Sequence, residues 1–270
     1  MLHLEPHAPD VVRLHMSSWR SRLVGYSVSA YLVRGALVDC GFHAVRRELA
    51  RWADEARPRG VILTHEHEDH AGNVDLLARL GIPVAAGALT LAAVRDTHRP
   101  RIGFYRRWTW ESMPPLSVPV APFEPAEAGL ELLPSPGHSP DHHVVWDPER
   151  ATLFSGDLFL GVKVRVAHHW EDPRTLVRSL RAAAALAPER LFDAHRGPVA
   201  DPVATLARKA DWLEETIGRI DALADRGASD AEIRDRVLGR EGMEGYFSGG
   251  DYSKLNLVRG VLKERRRPDD

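Results

Sequence analysis

Cysteine is nearly missing from this sequence: Cys40 is the one cysteine in 270 residues. No internal disulfide can form, which excludes the disulfide-stapled secreted classes and any zinc module built on two or more thiolates. Long hydrophobic runs are missing too. Nothing approaches the ~18 uninterrupted apolar residues that a membrane span needs, and the first ten residues lack the basic and apolar segments of a signal peptide. Nor is there an excess of one charge. With 36 basic and 38 acidic side chains the formal net charge is -2, which argues against a protein that blankets nucleic acid but leaves a local basic patch open. Lysine is scarce, with only Lys163, Lys209, Lys254 and Lys263, a bias that reads as codon usage before phosphate recognition. What remains is a cytoplasmic globular protein with no membrane partner, 44% hydrophobic and long enough to bury a full core without staples.

Val, Tyr and Leu-rich stretches separated by Gly and polar residues predict strands at 11–14, 26–33, 36–39, 61–64, 130–133, 143–146, 152–154 and 191–194. Helical spacing of apolar residues predicts helices over 44–57, 74–80, 88–95 and, after Pro173, 175–186. Alternating strands and helices imply an α/β class. Beyond Pro202 the pattern becomes helical: a stripe from Leu206 to Leu223, a second helix capped by Ser229, and a third over 255–262. The expected division is an α/β body at 1–200 and a helical extension at 201–270, with residues 265–270 frayed.

What the chain has in abundance is histidine, 14 in all. The strand at 61–64 runs into His65-Glu66-His67-Glu68-Asp69-His70. In extended chain, residues two apart point to one side, so His65 and His67 can converge on one ion while Asp69 and His70, where the chain turns into a helix, reach another. Three further candidates sit where strands end: His138 in Pro-Gly-His-Ser, Asp157 in Ser-Gly-Asp, and His195 in Asp-Ala-His-Arg-Gly. Each alone is ordinary turn chemistry.

Together these residues resemble the metallo-β-lactamase superfamily. His65-x-His67-x-Asp69-His70 is similar to its HxHxDH motif, with His138, Asp157 and His195 in the order of the later motifs. The resemblance covers about residues 10 to 200 and implies a four-layer αββα sandwich with the metal site along one edge. It implies His65, His67 and His138 on a first ion, Asp69, His70 and His195 on a second, and Asp157 between them. Asp39 matches the strand-end aspartate that supports the site. His142 matches the second histidine of a G-H-[ST]-x-x-H variant and is expected to support it too, against the plainer reading of a structural histidine.

The chemistry suits these residue types. Imidazole and carboxylate hold zinc, and also iron or manganese. A carboxylate can bridge two ions, and coordination lowers the pKa of water from 15.7 towards ~7, so no serine or cysteine nucleophile is needed. The expected activity is a dinuclear hydrolase that uses a metal-bridging hydroxide, oriented by Asp69, on an ester, thioester or lactone. The resemblance leaves open a phosphodiesterase or endoribonuclease on single-stranded RNA, and a mononuclear iron sulfur dioxygenase. Subfamilies narrow by subtraction: Asp157 stands where the best-known β-lactamases have cysteine, Leu160 where acyl-homoserine lactonases have tyrosine, and residues 161–165 do not resemble the glutathione signature of glyoxalase II. Gly137 to His142 followed by helices is similar to the β-lactamase-like-2 branch, whose extension is winged-helix-like.

Two features bear on the substrate. Arg95, Arg99, Arg101, Arg106 and Arg107 interleave with Phe104, Tyr105, Trp108 and Trp110; either Tyr105 and Trp108 help hold a phosphate-bearing group, or the aromatics pack on the body under solvated arginines. Downstream of Asp157, Lys163, Arg165, His168 and His169 are placed near the site mouth, and Tyr246, Phe247 and Lys254 are candidates to wall the pocket. A small-molecule substrate is expected.

Overall fold

The structure is a computed structural model that describes residues 1–7, 9–98, 102–263 and 265. Arg99 and Arg101 of the arginine and aromatic insert, and 266–270 of the expected frayed tail, lie outside the described residues.

The first sheet joins β1 (Leu2–His7), β2 (Val11–Met16), β3 (Val28–Val33), β4 (Ala36–Val38), β5 (Gly60–Ile62) and β6 (Val84–Ala85) in that spatial order. It is antiparallel as far as β4 and parallel from there to β6. The second sheet uses β7 (Glu131–Pro134), β8 (His143–Asp147), β9 (Thr152–Phe154), β11 (Arg190–Asp193) and β12 (Gly197–Val199), in the order β12-β11-β9-β8-β7. A ribbon of β10 (Ala167–His168) and β13 (Tyr252–Ser253) stands apart from both.

The two-residue period of the strands builds the layers. Ala36 and Val38 face the space between the sheets while Leu37 faces outward; Ile62, Val145, Phe154 and Phe192 point in, and their neighbours Val61, Val144, Leu153 and Leu191 point out. Burying each large side chain in this layer stabilises the fold by about 1.5–3 kcal/mol. On the outside of the first sheet lie α1 (Trp19–Leu23), α2 (Arg46–Ala56), α3 (Val74–Arg79), α4 (Ala88–Arg95) and α5 (Phe104–Trp110), whose Leu49, Leu77, Val94 and Trp110 share one core with the outward residues of the strands. This is the αββα arrangement that the motif resemblance implies.

The outer layer of the second sheet is α6 (Pro173–Ala185) together with α7 (Pro202–Ala224), α8 (Asp230–Val237), α9 (Met243–Phe247) and α10 (Lys254–Leu262). Leu180 of α6, Leu213 and Ile217 of α7, Ile233 of α8 and Val258 of α10 occupy one continuous core with Leu153 and Leu191. The residues beyond 202 therefore pack on the body itself. Among the described residues their one strand, β13, pairs with β10, register Ala167 to Ser253. Asp172 caps α6 ahead of Pro173, and Ser229 and Glu232 form a capping box on α8, as such residues do at helix starts.

β1 has no counterpart among the predicted strands. Its residues are half-exposed along both faces, so no alternation marks it, and Pro6 is tolerated only because an edge strand leaves ladder positions free. The helices α1, α5 and α9, of five to seven residues, are too short to register a 3.6 period.

Candidate metal centre

The site is assembled at the strand ends where the two sheets meet. Beyond β5, the Thr64 backbone N–H and hydroxyl both donate to Asp39, at 2.8 Å and 2.9–3.0 Å. Asp39 adopts the left-handed conformation at φ 60°, uncommon for a residue with a side chain, which turns its carboxylate toward the motif. The Ala71 N–H then bonds the His67 carbonyl at 2.8 Å, a helical turn that separates His70 from His65 and His67.

Two sets of side chains result, each with its donor atoms within 4.8 Å of one another: His65, His67, His138 and Asp157 in one, Asp69, His70 and His195 in the other. In the first, His65 Nε2 and His138 Nε2 approach His67 Nδ1 at 2.9 and 3.1 Å. In the second, His195 Nε2 and His70 Nε2 lie 3.6 and 3.8 Å from an Asp69 oxygen. Asp157 spans both: Oδ1 is 3.2 Å from both His70 Nε2 and His195 Nε2, and Oδ2 is 3.4 Å from His138 Nε2.

Second nitrogens fix the rings. His70 Nδ1 donates to Asp39 at 2.8 Å and His195 Nδ1 to the Ser27 carbonyl at 2.7 Å, while His65 Nδ1 meets the Thr64 hydroxyl at 3.0 Å, whose proton is directed at Asp39. Each of the three therefore directs its Nε2 inward, as metal-binding imidazoles do. His138 Nδ1 lies 3.8 Å from Glu171.

His142 acts on Asp157. Its Nδ1 contacts the Ser135 hydroxyl at 2.8 Å and its Nε2 accepts the Asp157 N–H at 3.0 Å. Gly156 is required there: it sits at φ +48°, and a Cβ would come within 2.8 Å of His142 Nε2.

Electrostatics divides the two sets. Burial pushes His65, His67 and His138 well below the ordinary imidazole range, so they are neutral at pH 7, the form that binds a cation. Burial also opposes charge on His70 and His195, but the carboxylates prevail: Asp157, Asp69 and Asp39 pull His70 well up, and Asp157 pulls His195 up to about 9. Burial raises Asp69, whereas His70 and His195 overcome it at Asp157 and hold that carboxyl well below its usual range. The site thus calls for positive charge. His70 Nε2 and Asp157 Oδ1 have no hydrogen-bond partner although buried, a costly condition that divalent cations held by these nitrogens and oxygens would relieve. The donor set fits two such ions.

Residues 23–195 match the metallo-β-lactamase superfamily. The chain belongs to that superfamily. It is 27% identical to a hydroxyacylglutathione hydrolase of Rhodobacter capsulatus, over 74% of this chain and 72% of that protein. With a β-lactamase-like protein 2 homolog of Caenorhabditis elegans it shares 30% identity over 59% of this chain, and it spans only 48% of that relative. A metallo-β-lactamase family protein from Thermus thermophilus has the same fold, with TM-score 0.65 and 21% identity over 95% of this chain and 94% of that one. A further protein, solved in a di-iron-bound form, aligns with TM-score 0.54 and 29% identity over 73% of this chain and 96% of that one. As a member of this superfamily with hydrolase relatives, the chain is a metal-dependent hydrolase.

A cavity of about 610 Å³ opens onto the two sets of candidate metal-binding side chains and takes in Tyr105, Lys163, Arg165, His168, Arg196 and Lys254 among its lining. Trp108 is not in that lining; it meets Trp19 of α1 edge-on at 5.7 Å. The arginine and aromatic insert follows neither expectation throughout. Arg106 is buried against Glu68, with Nε to Oε1 at 2.8 Å, and lies 5.1 Å over the Trp170 ring, while Trp110 is buried 6.1 Å from His195. Several contributors carry no motif. Ser27 acts through a backbone carbonyl, which any residue supplies. Glu171 and Lys209 are buried acid and base, Glu171 raised by burial to about 8 and Lys209 lowered by burial to about 8. Lys209 is a charge inside the apolar stripe of α7, whereas Glu171, in the loop before α6, carries no sequence signal.

Proposed function

We propose that this enzyme is a dinuclear hydrolase that cleaves an acyl thioester whose thiol arm is negatively charged. The observation that carries the dinuclear reading is Asp157, one carboxylate within 3.4 Å of nitrogens from both ligand sets. Zinc is the proposed metal, with iron or manganese compatible with the same donors. When bound, two such ions supply Lewis acidity at the scissile carbonyl and a water acidic enough to attack near pH 7. The chain's own groups do the rest. Asp69 lines the cavity and holds the proton of the attacking water; Asp39 and the Ser27 carbonyl keep His70 and His195 aimed; His142 fixes the Asp157 loop.

Charge at the cavity wall favours an anionic thiol arm. Lys163, Arg165 and Arg196 line the cavity and make no ion pair among the described residues. Unpaired cations at a pocket wall suit an anionic ligand, and the hydroxyacylglutathione that the Rhodobacter relative is named for is by its chemistry an anionic thioester. The same cations would suit a phosphodiester, the second reading. We place the reaction in the cytoplasm on a small-molecule substrate, with residues 201–270 as an extension that walls the cavity through Tyr252 and Lys254.

Chelation should abolish turnover of glutathione and coenzyme A thioesters, and zinc, iron or manganese should restore it. Asp69→Ala should stay folded and inactive. Metal-replete protein that is inert toward every thioester, and that binds single-stranded RNA with strong salt dependence, would replace the first reading by the second.

A further inference from the structure

The acyl half of the substrate has a place of its own. Helices α5 and α9 contribute to the cavity lining, α1 packs against α5, and each of the three turns large apolar side chains to solvent. Trp19, Leu23, Phe104, Met243, Tyr246 and Phe247 are between 49% and 78% exposed. Three of them are tied together by aromatic contacts: Trp19 to Trp108 at 5.7 Å, Phe104 to Trp108 at 6.4 Å, and Phe247 to Tyr105 at 6.3 Å. The chain of rings continues inward. Tyr105 and Tyr26 line the metal cavity, Tyr26 lies 6.1 Å from Trp110, and Trp110 lies 6.1 Å from His195.

Scattered apolar side chains on a surface need no explanation, but a connected group on three helices at a pocket mouth does. Nothing in α1 or α9 needs them for the core; their buried residues are only Ser21 and Gly245. The cavity lining also includes the segment with Lys163 and Arg165, so charge and apolar surface meet at one mouth. A ligand matching both has an anionic end and a greasy end, with the bond to be cut between them.

We propose that the rim formed by α1, α5 and α9 is an acyl subsite, and that the substrates are thioesters of medium to long acyl chains. The proposal rests on the thioesterase reading above. With the carbonyl at the metal ligands, the thiol arm runs over Lys163 and Arg165 and the chain runs past Tyr26 and Tyr105 onto Phe247 and Trp108. The chemistry is plain hydrolysis: the oxygen of water bonds to the carbonyl carbon, the carbon–sulfur bond breaks, the thiolate leaves and takes up a proton, and no oxidant or reductant takes part.

The test is a series of acyl-coenzyme A esters from two to sixteen carbons, given to the metal-loaded enzyme. The value of kcat/KM should rise about two- to fourfold per methylene, the size expected for a chain moving from water onto apolar surface, until the rim is covered. Phe247→Ser combined with Trp108→Ser should flatten that slope, and Leu80→Ser, an exposed apolar residue at the end of α3 outside the cavity lining, should leave it unchanged. A second arm does not depend on turnover. Tryptophan fluorescence should report tighter binding of a non-hydrolysable dodecyl thioether of coenzyme A than of its methyl analogue, and the double variant should lose the difference. If no thioester is cleaved but the thioether series still binds by chain length, the thioesterase reading fails and the subsite stands. A flat series in both arms overturns the subsite, as does a wild type that is dimeric where the double variant is monomeric, since a second copy would then cover the rim.

Discussion

The two ligand sets are built from the same residue types and behave in opposite ways. His65, His67 and His138 are pushed down by burial, while His70 and His195 are pulled up by Asp157 and its neighbours. The difference is the number of carboxylates. The first set has three imidazoles around a nitrogen-rich point, with Asp157 reaching it by one oxygen; the second packs two imidazoles between Asp69, Asp157 and Asp39. The first set is ready to accept a cation at neutral pH, whereas the second must give up protons to do so.

The largest effect expected is from Asp157→Ala, which removes the one group shared by both sets. Turnover should fall by at least about 10³-fold, roughly 4 kcal/mol in barrier, with metal per chain falling below the wild-type value in the same preparation. Next comes pH. His195, at about 9 without a cation, carries a proton at pH 7 that binding must displace, and His70 is raised as well, so affinity at the second set should rise at least about tenfold per pH unit up to about 9 and less steeply above it. Affinity at the first set should stay flat, and competition against a chelator at several pH values checks both. Removal of single supports should discriminate between the sets. Asp39→Asn, which acts on His70, should weaken the second set by about 10- to 100-fold, and Glu171→Gln, which faces His138, should weaken the first set within the same range or less. The smallest effect is Ser135→Ala: the loss of one hydrogen bond to His142 should cost about 1 kcal/mol of stability in a thermal melt.

Among the candidate ligands, His65, His67, Asp69 and His70 stand out from their density behind a strand, whereas His138, Asp157 and His195, each ordinary turn chemistry alone, became legible from their order and the motif resemblance together. Asp39 and His142 were legible only through motif resemblance, since an aspartate or histidine beside a strand is ordinary. Ser27 was not legible at all, because the oxygen that holds His195 is a backbone atom 168 residues away. Glu171 and Lys209 are read as polar residues of loop and helix until packing buries them. The residues alone indicated an α/β class, and the αββα layering was implied by the motif resemblance; strands such as β8 carry it, with Val144, Val145 and Trp146 alternating between two cores, while the ribbon of β10 and β13, two residues each, is too short to leave a pattern. Trp108 shares a helix face with Tyr105, three residues away, yet stays out of the cavity wall because its ring packs edge-on against Trp19 of α1.

The central claim is one site with two unequal halves joined by Asp157. Calorimetric titration of the metal-free enzyme with zinc, repeated in buffers of different ionisation enthalpy at pH 7 and at pH 9.5, tests it most directly. Two equivalents per chain should bind, the first with little proton release and the second with more, and the excess should shrink at the higher pH. A single equivalent, or two equivalents with equal proton release at both pH values, would contradict it.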